Sequence, residues 1–121
     1  MDADKLKALA EKVKEQLSLS YDEESVKFLE GLIERVKPEF KGSEANGLVN
    51  SIGAFLGECI IINYGGQWSI DEETQRACII FDQQNKIFPF SKTAKQFANG
   101  LEDSIYSFYT VIPTVFKLKK S

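Results

Sequence analysis

The stretch Ala45–Trp68, ANGLVNSIGAFLGECIIINYGGQW, limits what this chain can fold into more than any other. It holds the longest apolar run, a Gly53-x-x-x-Gly57 pair, one isolated acid (Glu58), a Gly65-Gly66 turn and the only tryptophan, Trp68. Leu48, Val49, Ile52, Phe55, Leu56, Cys59, Ile60 and Ile62 fill a little under half of a helical circumference. The opposite side carries Gly47, Asn50, Gly53, Ala54 and Gly57, with Glu58 at its margin. A helix without a charged face is buried on both sides. The pattern predicts a central helix over about residues 44–63, capped by Ser43 or Asn46. It stops at the glycine pair and runs into an extended Gln67-Trp68-Ser69-Ile70.

The flanks supply the other elements. Leu6, Leu9, Ala10, Val13 and Leu17 recur at helical spacing, but in a narrow stripe among Lys, Glu and Gln. That predicts a peripheral helix over 1–18, solvated on the domain's edge or paired with a copy of itself. Ser20 and Glu23 have capping-box spacing, and the helix they open ends at Pro38. Its apolar arc comprises Val26, Phe28, Leu29, Leu32, Ile33 and Val36. Arg76–Phe81 is a nearly continuous apolar strand, Asp82–Asn85 a hairpin loop, and Lys86–Phe88 the return; Pro89 excludes a further central strand. With 67–70 these make a three-stranded antiparallel meander. Ala94, Phe97, Ala98, Leu101, Ile105, Phe108 and Ile112 keep one phase across Asn99-Gly100. Ser91 is placed as the cap of one bent helix, or of two nearly collinear ones, ended by Pro113. The expected fold class is α+β, a single domain over 1–121: core 20–112, basic tail 113–121.

Composition narrows the chemistry. The chain of 121 residues has no histidine, which removes Ser-His-Asp triads, Cys-His dyads and nearly all mixed imidazole zinc sites. Cys59 and Cys78 lie in apolar runs and read as buried hydrophobes. A net charge of −3 with only Arg35 and Arg76 as arginines disfavours nucleic acid. No apolar leader and no run of transmembrane length are seen, so a soluble cytoplasmic protein without a membrane partner is expected. Asp71-Glu72-Glu73 lacks the spacing of a calcium loop, and Gly65-Gly66 follows a helix rather than opening one. No catalytic residue, cofactor or metal is expected.

Several motifs occur in a suggestive order: Gly53-Ala54-Phe55-Leu56-Gly57-Glu58, then Gly65-Gly66-Gln67-Trp68, then Phe88-Pro89-Phe90 and Asn99-Gly100. Over about residues 21–112 the chain resembles a small bacterial domain family of unknown function. The resemblance implies no established activity, cofactor or catalytic residue. By analogy with other small bacterial domains it fits a non-enzymatic protein-interaction module, including the immunity type. Its partner would be another protein, or a copy of itself through the first helix. The alternative is a small-ligand domain with a pocket near Glu58 and Trp68, drawing on Asn63, Tyr64, Gly65, Gly66, Gln67 and Arg76. An enzyme working with carboxylates alone would need a second acid facing Glu58.

Overall fold

Every residue from Ile52 to Ile60 is buried, which makes their helix the centre of the molecule. In the computed structural model, which describes residues 2–117, this helix (α3) spans Asn46–Tyr64. Before it come α1 (Ala3–Leu17) and α2 (Glu23–Val36); after it β1 (Gln67–Ile70), β2 (Ala77–Ile80), β3 (Lys86–Ile87), α4 (Pro89–Asn99) and α5 (Ile105–Val115). The strands form one antiparallel sheet in the order β1-β2-β3, with Trp68 opposite Ile79 and Ile79 opposite Ile87. The fold is α+β, with the helices packed around α3 and a small meander.

The glycines of α3 determine how the sheet side closes. A Cβ on Gly57 would lie 2.2 Å from the six-membered ring of Trp68, and one on Gly53 2.5 Å from the Phe90 ring. The two rings stack, with centroids 5.6 Å apart. The aromatics of β1 and α4 therefore occupy the volume that the missing side chains leave. Gly65 and Gly66 reverse the chain with φ of 93° and 91°, a region that glycine enters without a Cβ clash.

Several local expectations are corrected. Helix α2 is capped by Asp22, whose carboxylate accepts from the Ser25 amide at 2.9 Å; the Ser20 amide instead donates to the Ser25 hydroxyl. No side chain caps α3, because a 3₁₀ turn over Gly42–Ala45 leads into it. Phe28 is 43% exposed under the Arg35 guanidinium rather than part of the core arc. Helix α1 packs along α3 with Ala10 and Val13 in the core, so the stripe expected to be solvated is partly taken up by the fold. Together with its 3₁₀ turn, α3 (Gly42–Tyr64) is long and apolar enough to cross a membrane by length and composition; here its middle is buried by protein.

The C-terminal segment departs furthest from expectation. Helix α4 starts at Pro89, whose fixed φ and missing N–H suit the first helical position, leaving Ser91 inside the helix. It ends at Gly100 (φ 78°), and a 3₁₀ turn over Gly100–Asp103 separates it from α5. Ser104 caps α5 by accepting from the Ser107 amide at 3.0 Å, and its hydroxyl bonds the Glu30 carboxylate. Gln96, fully buried, donates to the Glu30 carbonyl and the Glu34 carboxylate and accepts from the Ile105 amide. These bonds fix the break against α2. Pro113 lies within α5 rather than ending it. The first residues of the expected basic tail are thus helical, and 118–121 lie outside the described residues.

Candidate functional site

Of the residues expected around a ligand pocket, Glu58, Asn63, Tyr64 and Trp68 are engaged in the packing, whereas Gly66, Gln67 and Arg76 are exposed. Glu58 is 4% exposed, and its carboxylate accepts from the Trp68 indole N–H at 2.8 Å. The strand returning from Gly65-Gly66 brings Trp68 level with the acid, as the rises of helix and strand require. The Asn63 side-chain amide lies within 3.0 Å of the Tyr21 and Cys59 carbonyls and the Tyr109 hydroxyl. Tyr64 is buried, its ring tilted against Tyr109 at 5.1 Å. Gly66 and Gln67 border a shallow hollow at the sheet's end with Phe81 and Asp82. Between the small face of α3 and the sheet, Trp68 and Phe90 stand where a ligand would have to lie.

The remaining chemistry is equally committed. The Asp71 carboxylate accepts from the Thr74 amide and hydroxyl at 2.9 and 2.8 Å and pairs with the Lys86 ammonium. The Lys86 bond, then those from Thr74, lower its pKa to about 2. Both cysteines are free and buried, and burial pushes both thiols up, away from the reactive thiolate. No group of three or more His, Cys, Asp or Glu side chains is placed to hold a metal among the described residues.

Arg76 stands apart from this packing. It precedes β2, exposed, with its guanidinium 3.4 Å from the Ser91 hydroxyl, on the rim of a groove of about 780 Å³. Leu6 and Leu9 of α1, Asn50 of α3, Ala77 of β2, and Phe90, Ala94, Lys95 and Ala98 of α4 form the rest of its wall. Ala94 and Ala98 are shared with a second hollow of about 500 Å³, bordered by Phe40, Ala45, Val49 and Phe97 and by Lys37 and Lys41. Ala94 and Ala98 are exposed, and Leu101, next on the same stripe, is 59% exposed. The apolar stripe of α4 is therefore covered along only part of its length.

No acid lines either hollow among the described residues, although the chain has 18 Asp and Glu against 15 Lys and Arg. Lys37 is bound to Glu34 at 2.8 Å, whereas Arg76, Lys95 and Lys41 make no ion pair among the described residues. This juxtaposition comes from four elements distant in sequence. Its one trace in the sequence is the apolar run of α4, whose periodicity reads as core. Comparison with family models, with characterised proteins and with solved structures finds no match to this chain.

Proposed function

We propose that this chain is a non-enzymatic protein-interaction module whose docking face is the groove between α1, α3 and α4. The observation that carries the proposal is the uncovered apolar stripe of α4, lying in a concave surface, whereas Leu17, Phe28, Ile62, Val111 and Val115, which are also exposed, line neither hollow. Grooves of this kind accept apolar side chains from a partner element. The basic rim selects for a partner that carries acids beside its apolar contacts. An immunity-type protein, which acts by covering a partner's surface, is one form of this function.

The test is affinity capture from a bacterial extract with the parent chain and with the Ala94→Gln/Ala98→Gln double variant. Both alanines are exposed, so the variant should fold, as circular dichroism would verify. Stoichiometric retention of a protein by the parent, lost in the variant, is the expected result. Equal retention by both, or retention by neither, would overturn the proposal.

A further inference from the structure

We infer that the partner contributes an acidic amphipathic helix, laid along α4 with its apolar face on Ala94 and Ala98 and carboxylates against Arg76 and Lys95. The inference rests on the docking function proposed above and specifies what docks. Its first support is the backbone of the walls. Strand β2 is the only strand that reaches the groove, through Ala77, which pairs with Ile70 of β1. Strand β3 pairs with Ile79 and Ile80 alone, so only the short edge of Ala77 and Cys78 is left without a strand beside it. The other walls include α1, α3 and α4, whose amides within each helix interior are used internally. An extended peptide would find only the edge of Ala77 and Cys78, too short to hold a strand by its backbone, so the partner is held mainly through side chains. A helix presents side chains on one face without needing outside backbone partners.

The second support is length. The stretch of α4 from Phe90 to Ala98 is about 12 Å long, or roughly two helical turns. It links the two hollows through Ala94 and Ala98, so a helix of two or more turns can place successive apolar anchors in both. The third is charge. Arg76 and Lys95 stand at one hollow and Lys41 at the other, all without an ion pair among the described residues. Acids flanking the apolar face of a docked helix would meet cations at both ends, and a basic helix would be repelled.

The experiment uses the full chain and four synthetic peptides with one Leu/Ala helical face. The flanks carry Glu in the first, Gln in the second and Lys in the third, and the fourth is the Glu peptide with a central proline. Binding is measured by calorimetry and mapped by amide chemical shifts. The Glu peptide should bind about tenfold more tightly than the Gln peptide, the size expected of two or three solvent-exposed ion pairs. The Lys and proline peptides should not bind. In the Arg76→Glu/Lys95→Glu variant the preference should pass to the Lys peptide. Equal binding of the Glu and Gln peptides, or of the proline peptide, overturns the acidic helix while leaving the docking face intact. So does binding by no peptide when capture still depends on Ala94 and Ala98. Shifts confined to surfaces away from α1 and α4 overturn both proposals. Concentration-dependent dimerisation abolished by Ala94→Gln would assign the face to a second copy of the chain and overturn the inference.

Discussion

Glu58 shows how a carboxylate can belong to the packing of an apolar helix. Its one side-chain bond among the described residues is to the Trp68 indole N–H, and removing the acid leaves that part-buried donor without its partner. Glu58→Ala should therefore cost about 1–3 kcal/mol in urea melts, and Glu58→Gln under about 1 kcal/mol, because the amide oxygen still accepts. Parent-like stability of Glu58→Ala would show that the bond is not structural. The common level of residues 58 and 68 is legible in sequence from the rises of helix and strand. Those rises leave open whether the acid meets the turn's backbone N–H groups or the Trp68 indole; the fold selects the indole. Asp71 provides a pH-dependent counterpart. Its folded pKa of about 2 lies below an unfolded value of about 3.9, so its contribution is full above about pH 4 and is lost as the pH falls towards 2. Lys86, with its pKa raised by the same bond, contributes below its unfolded value and loses that only at strongly alkaline pH. Asp71→Asn should be less stable than the parent near pH 5, with the gap narrowing near pH 2.5. A gap that stays constant between those two pH values would assign the effect to something other than the ion pair.

At the scale of elements, periodicity identifies most helices and strands but not where one element yields to another. The stripe from Ala94 to Ile112 keeps phase, and nothing in that phase records that Gly100 takes a positive φ or that Ser104 opens a new helix. The break is decided by polar residues, Gln96 and Ser104, that reach Glu30 across the chain. Ser104→Ala removes both the cap and the bond to that carboxylate, and should lower stability by about 1–2 kcal/mol in thermal melts. A change of only a few tenths would place the origin of the break elsewhere. Helix α1, read as peripheral, is mostly exposed, yet its inner stripe reaches the core. Its core contacts are Ala10 and Val13, side chains too small to give a strong apolar signal but small enough to let two helices approach closely.

At the scale of the whole molecule, α1 covers one flank of α3 and supplies Leu6 and Leu9 to the groove. Deleting residues 1–18 should cost about 2–4 kcal/mol from the lost burial of Ala10 and Val13, and should produce concentration-dependent association in sedimentation. A truncated chain as stable and monomeric as the parent would show that α1 is dispensable. The groove itself is not legible in sequence because its walls meet only after α1, α3, β2 and α4 have assembled. The same assembly leaves a single, partly buried indole packed between the backbone of Gly57 and the ring of Phe90, which itself lines the groove. As the only tryptophan, Trp68 makes the chain its own optical gauge. Loss of the fold should shift its emission to the red as water reaches the ring. Filling the groove should change its intensity through Phe90 without that shift, so occupancy and unfolding could be separated in one cuvette with no label attached.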